Sequence, residues 1–137
     1  MTGLVVCVAV LAVAGAFGVL HRQRSGRVRV RGRDDGKRLG AAELGGALGE
    51  RATLVQFSSA FCAPCRATRR ILGEVAGLVP GVTHVEIDAE DRLELVRELD
   101  ILKTPTVLVL DADGRVVRRA TGQPRKADVI AALGEAV

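Results

Sequence analysis

Apolar and polar positions divide the chain into one long uncharged run followed by short segments whose hydrophobic period keeps changing. Leu4 to Leu20 is continuously apolar, and Met1 to Leu20 carries no acidic side chain and no Lys, Arg or His. A helix of about 20 residues rises roughly 30 Å, the hydrocarbon thickness of a bilayer. This run therefore predicts a transmembrane helix over residues 1–21. Beyond it, Val28-Arg-Val30-Arg alternates and reads as linker or a short edge strand. Leu39, Leu44 and Leu48 recur near helical spacing, but Gly40, Gly45, Gly46 and Gly49 weaken that helix.

From there the pattern is compact. Thr53 to Phe57 reads as an apolar strand and Ser58 to Phe61 as a loop. Cys65 to Leu78 has helical spacing, with Ile71, Leu72, Val75 and Leu78 on one face, until Pro80-Gly81 ends it. Val82 to Asp88 alternates as a strand, and Asp91 to Leu99 predicts a short helix with Leu93, Val96 and Leu99 turned inward. Thr106 to Leu110 is a continuous apolar strand, Asp111-Ala-Asp-Gly114 a hairpin turn, Arg115 to Thr121 a strand and Ala127 to Val137 an amphipathic helix. The order after Arg51 is β, α, β, α, β, β, α, an α/β pattern with a mixed sheet.

Composition bounds this picture without changing it: 137 residues, 48% hydrophobic and 26% charged, leave room for one ordinary domain and exclude a disordered or collagen-like chain. Charge changes more. The net +4 is concentrated between His21 and Arg38, where eight basic residues (Arg22, Arg24, Arg27, Arg29, Arg31, Arg33, Lys37, Arg38) face only Asp34 and Asp35. From Leu39 onward twelve basic residues are outnumbered by fourteen acidic ones. A nucleic-acid-binding domain would carry its positive charge on its own surface, so nucleic acid is not an expected partner.

The basic stretch reads instead as a juxtamembrane linker over residues 22–38, ahead of a domain over residues 39–137. Basic residues flanking a membrane helix are retained on the cytoplasmic side, which predicts a single-pass protein with its domain on the cytoplasmic face. The same residues would meet anionic lipid headgroups at up to about 1 kcal/mol each. A cleaved secretory signal is the competing reading, because Ala12-Val13-Ala14 resembles a small-residue cleavage site. The lack of a positively charged side chain ahead of the apolar run favours an uncleaved anchor. Cys7, inside that run, reads as a small hydrophobe rather than an acylation site.

Candidate chemistry lies in Phe61-Cys62-Ala63-Pro64-Cys65, at a junction of strand and helix. Unsatisfied backbone N–H groups and the positive end of the helix dipole favour a thiolate at Cys62. The spacing of three puts Cys65 one turn along, near enough to attack a mixed disulfide held on Cys62. A metal site needs further ligands, and His21, His84 and Cys7 are poorly placed to supply them, so no metal is expected. A structural bridge closing so short a loop would restrain the unfolded chain little, which leaves thiol chemistry as the better explanation.

On these residues the chain resembles the thioredoxin family. The matching features run in order: Leu54-Val-Gln-Phe57, Cys62-Ala-Pro-Cys65, Val85-Glu-Ile-Asp88, Thr104-Pro105-Thr106, Asp113-Gly114 and Gly122. They cover the chain from about Val28 or Leu39 to its end. The resemblance implies a thioredoxin fold, a central mixed sheet flanked by helices, here preceded by the transmembrane helix. It implies a cis peptide bond before Pro105 and a substrate groove at Thr104 and Pro105 facing the cysteine pair. Cys62 would be the nucleophile, Cys65 the resolving thiol, and Phe61, Ala63 and Pro64 the active-site turn. The redox-active Cys62/Cys65 disulfide would serve in place of a cofactor. Expected partners are protein disulfide substrates and a thiol reductant such as a thioredoxin reductase or another dithiol protein.

Several positions depart from the family's pattern. Phe61 replaces the usual Trp, keeping an apolar wall without the indole donor. Gln56 stands where the family has a buried aspartate, and His84 where it has a lysine. His84 reads either as an ordinary strand residue or, with Gln56, as part of a proton relay. Arg70 replaces a mid-helix proline, which predicts a straighter helix. Arg66 and Arg69 read as a solvated face or as a source of positive potential near Cys62. The expected activity is a membrane-tethered protein-disulfide oxidoreductase. Two alternatives stay open: an extracytoplasmic thioredoxin-like protein serving cytochrome maturation or disulfide exchange, hinted at by Asp35-Gly36-Lys37, and a noncatalytic thioredoxin-like adaptor.

Overall fold

The computed structural model describes residues 1–24, 28–29 and 37–137. Most of the basic linker, with the Asp35-Gly36 pair, lies outside the described residues. The first helix, α1 (Thr2–Arg24), follows the apolar run and ends three residues beyond its predicted limit. Thr2–Gln23 is long and apolar enough to cross a membrane, and its side chains are exposed. A signal sequence satisfies the same length and composition.

The remaining elements are β1 (Val28–Arg29), α2 (Ala41–Leu44), β2 (Ala52–Ser58), α3 (Ala63–Leu78), β3 (Val82–Asp88), α4 (Leu93–Glu98), β4 (Thr106–Asp111), β5 (Val116–Thr121) and α5 (Lys126–Ala136). The strands form one mixed sheet in the order β1-β5-β4-β2-β3. β2 and β3 run parallel, as a crossover through α3 requires, and the other pairs are antiparallel. The alternating Val28-Arg pair becomes an edge strand, with Val28 opposite Ala120.

All seven residues of β2 are buried, because helices cover both faces of the sheet. Side-chain alternation then sorts its residues. Val55 and Phe57 pack with Leu44, Leu95, Leu99 and Leu108 on the face covered by α2 and α4. Ala52 and Leu54 pack with Leu72, Val75, Val129 and Leu133 on the face covered by α3 and α5. Truncating a fully buried leucine here, Leu54 or Leu72, costs about 2–5 kcal/mol. Gln56 falls in the same period as Leu54 and so points toward α3. That placement of a polar side chain in an apolar layer determines much of the site.

Two sequence expectations need correction. Leu78 is 66% exposed, and the inward stripe of α3 is Thr68, Leu72 and Val75, continued by Val79 just past the helix. Leu93 is likewise exposed, while Leu95 and Leu99 turn inward from α4, with Val96 packed against the same core. α2 is only one turn long, as its glycines imply, and Gly45 ends it in a left-handed conformation at φ 70°.

Candidate functional site

The site is assembled where β2 leaves the sheet and α3 begins. Cys62 is the N-cap of α3, in an extended conformation, and its Sγ accepts a hydrogen bond from the backbone N–H of Cys65 at 3.2 Å. A sulfur in this position faces the orphan N–H groups and the positive end of a 16-residue helix. Pro64 fits the first turn because an N–H there has no helical acceptor. Thr68 Oγ1 donates to the Pro64 carbonyl at 2.8 Å and closes the turn. α3 is continuous through Arg70.

Cys62 and Cys65 are joined as a disulfide, with Cα atoms 5.2 Å apart. The two sulfurs are not equivalent. Cys62 is partly exposed, whereas Cys65 is 1% exposed on the inward face of α3. An incoming sulfur can reach only the first. Phe61, immediately before the pair, is fully exposed and so offers its ring outward instead of packing in the core. Cys7, in α1, is the free cysteine among the described residues.

The Thr104–Pro105 peptide is cis. Thr104 Oγ1 and Ser59 Oγ share a hydrogen bond at 2.9 Å, tying the loop after β2 to the residue before the cis bond. The Pro105 carbonyl accepts from the Gly122 N–H at 2.8 Å. Pro64, Ile71, Thr104, Pro105 and Gly122, with Arg22 at the end of α1, line one open groove, so the turn that carries the cysteines and the cis-proline loop share a surface. Ser59 was not apparent as a site residue from the sequence. Its only signal is position, since the end of β2 must lie beside the loop that precedes β4.

Beneath the pair, Gln56 is completely buried and fully hydrogen-bonded. Its Nε2 donates to the Cys65 carbonyl at 2.8 Å and to Ser58 Oγ at 3.0 Å. Its Oε1 faces His84 Nε2 at 3.1 Å. Gln56 and His84 are therefore brought together as a pair, and the chain of contacts ends on the Cys65 carbonyl. Opposite Gln56 in the parallel register stands Glu86, which takes a bidentate ion pair from Arg69 of α3 at 2.5 and 2.6 Å. Burial pushes the His84 imidazole below its ordinary value; Glu86 opposes that shift and Arg69 adds to it. Glu86 in turn holds the Arg69 guanidinium above its usual range. No group of three or more His, Cys, Asp or Glu side chains suited to a metal occurs among the described residues.

A disulfide on a helix N-terminus, one sulfur open and one buried, beside a cis-proline groove, can accept attack by an incoming thiolate, and the reduced pair can in turn attack an incoming disulfide. The chain is similar in sequence and fold to known proteins. The thioredoxin family model matches residues 46–135. Thioredoxin from Mycobacterium bovis is 31% identical over 85 residues, covering 61% of this chain and 72% of that protein. Putative thioredoxin H10 from Arabidopsis thaliana is 32% identical over 69 residues, and the chain spans 44% of its length. Among solved structures, thioredoxin f2 in complex with ferredoxin:thioredoxin reductase is 25% identical, with a TM-score of 0.56, covering 64% of this chain and 79% of that one.

Proposed function

The chain belongs to the thioredoxin family, and from that premise we propose that it is a membrane-tethered thiol-disulfide oxidoreductase that reduces or exchanges protein disulfides through Cys62 and Cys65. The observation that carries this reading is the unequal exposure of two bonded cysteines beside the cis Pro105 groove. In the reductive direction the Cys62 thiolate attacks one sulfur of a substrate disulfide. The substrate S–S bond breaks, a mixed disulfide forms, and one substrate thiolate leaves. The Cys65 thiolate then attacks Cys62 Sγ, expels the second substrate thiolate and restores the Cys62–Cys65 bond. Two electrons pass to the substrate, whose two sulfurs take up protons. A dithiol reductant of the thioredoxin reductase class, or another dithiol protein, returns the pair to the reduced state.

Thr104 and Pro105 hold the substrate backbone beside Cys62, with Phe61, Ala63 and Pro64 forming the turn that presents the nucleophile. Gln56 and His84 act on the resolving step by fixing the Cys65 backbone, and His84 is the titratable group in contact with Gln56. α1 anchors the protein, and the basic flank contacts anionic headgroups and keeps the domain on the cytoplasmic face.

Cys65→Ser tests the chemistry. It removes the resolving thiol and should leave substrates covalently trapped on Cys62 as species released by reductant. Absence of trapped species, together with unchanged function in a Cys62→Ser/Cys65→Ser protein, would support the adaptor reading instead. A reporter fused to Val137, active on one side of the membrane only, tests the topology.

A further inference from the structure

The domain's acidic balance is distributed unevenly around the cysteine pair. Five carboxylates, those of Glu43, Glu90, Asp91, Glu94 and Glu98, gather around α4 with Arg92. The groove beside Pro105 has the opposite character: Lys103, Arg125 and Lys126 of the domain and Arg22 at the end of α1 contribute to its walls, and no acidic side chain does. Cations on α3 extend that surface. Arg66 and Arg70 follow Cys62 at steps of four, which stacks them above the exposed sulfur along one helix face.

Ion pairing decides which of these charges face outward uncompensated. Arg69 is held by Glu86, Arg125 by Asp128 and Lys126 by Glu74. Among the described residues Arg66, Arg70 and Lys103 have no carboxylate within ion-pair distance, and all three are exposed. Arg66 and Arg70 thus lie one and two turns along α3 from Cys62, and Lys103 two residues before Pro105, three unpaired cations in a domain whose net charge is negative.

Resting on the oxidoreductase reading, we propose that Arg66, Arg70 and Lys103 form a docking surface for protein substrates carrying acidic residues beside the disulfide to be reduced. Fields of this kind raise encounter rates by factors of ten to a thousand at low ionic strength, and they do so without altering the reacting sulfur. The groove then selects for acidic flanks, while the carboxylates around α4 disfavour docking in the reversed orientation.

The test is a single-turnover reduction by the pre-reduced full chain in phosphatidylcholine nanodiscs. Its probes are three peptides with one intramolecular disulfide, flanked by glutamates, by glutamines or by lysines. At low salt the acidic peptide should react on the order of tenfold faster than the basic one, with the neutral peptide between them. The ranking should collapse near 0.5 M salt, where roughly 4–5 Å of screening length remains. An Arg66→Gln/Arg70→Gln/Lys103→Gln protein should lose the ranking while reducing the neutral peptide at the original rate. Equal rates for all three peptides with the unmodified protein would overturn the inference, whatever the variant's fold. So would equal slowing of all three in the variant, because the charges would then act on Cys62 and not on the partner. Failure to reduce any peptide would overturn the oxidoreductase reading and this inference with it.

Discussion

The side-chain amide of Gln56 donates to the main-chain carbonyl of Cys65 at 2.8 Å, so the interior strand β2 grips the first turn of the helix that bears the cysteine pair. The contact is buried and links β2 to α3 beneath the cysteine pair. Gln56→Leu keeps the volume and removes every polar contact, leaving the Cys65 carbonyl, Ser58 and His84 short of a partner. It should cost about 2–4 kcal/mol of stability, measured by urea denaturation. Combining it with His84→Leu should recover part of that loss, with a coupling on the order of 1 kcal/mol, since both ends of one hydrogen bond are then apolar. Strict additivity would show that the two side chains do not interact.

His84 makes stability depend on pH in a defined direction. Its folded-state imidazole lies below the ordinary 6.5, chiefly through burial, with Glu86 pulling upward and Arg69 downward. The unfolded chain therefore binds a proton first on acidification, and the stability linked to neutral His84 is complete above about pH 6.5. It is lost as the pH falls through 6.5 toward the folded value. His84→Asn should remove that part of the slope between pH 7 and 5 in denaturation midpoints. Arg69→Gln should raise the His84 midpoint followed by proton NMR, because Glu86 then faces the imidazole without its partner.

Exposure should separate the two thiols once the bond is reduced. Cys62 is open and caps α3, whereas Cys65 is packed under it. Iodoacetamide should modify Cys62 faster than Cys65 by tenfold on the order of magnitude, read by peptide mass spectrometry after a short pulse. Comparable labelling of both would remove the basis for assigning them different roles.

The sheet and the reactive pair were legible because their signals are local. Thr53 to Phe57 and Thr106 to Leu110 are apolar runs of strand length, and Cys62-Ala-Pro-Cys65 sits on a strand-to-helix junction whose orphan N–H groups follow from helix geometry alone. Where the structure departs from the sequence pattern, distant neighbours decide. Leu93, Leu95 and Leu99 offer a helix of six residues no unique apolar face, and the sheet beneath α4 selects Leu95 and Leu99. Leu78 and Val79 are both apolar, and the line through Thr68, Leu72 and Val75 continues to the second. The Ser59–Thr104 contact spans 45 positions, and the Arg69–Glu86 pair joins a helix to a strand. Neither has a sequence signature, since each exists only after the register of β2, β3 and β4 is set.

Glycines give a last separation of local from tertiary requirements. Gly114 turns the β4–β5 hairpin at φ 81°, and a Cβ there would lie 2.2 Å from the Leu39 carbonyl oxygen. That oxygen belongs to backbone held by the Leu39 N–H bond to the Gly114 carbonyl at 2.9 Å, so it cannot move aside without breaking the contact that joins this segment to the hairpin. Gly114→Ala therefore combines a disfavoured backbone region with a collision and should destabilise by more than about 1 kcal/mol. Gly73 differs in both respects. It lies within α3, its φ is ordinary, and an added methyl would meet nothing within 4 Å. Gly73→Ala should accordingly stabilise by about 0.5–1 kcal/mol through helix propensity. Thermal or urea unfolding of the two single variants checks both signs, and a destabilised Gly73→Ala would mean that this face of α3 is covered in the native protein.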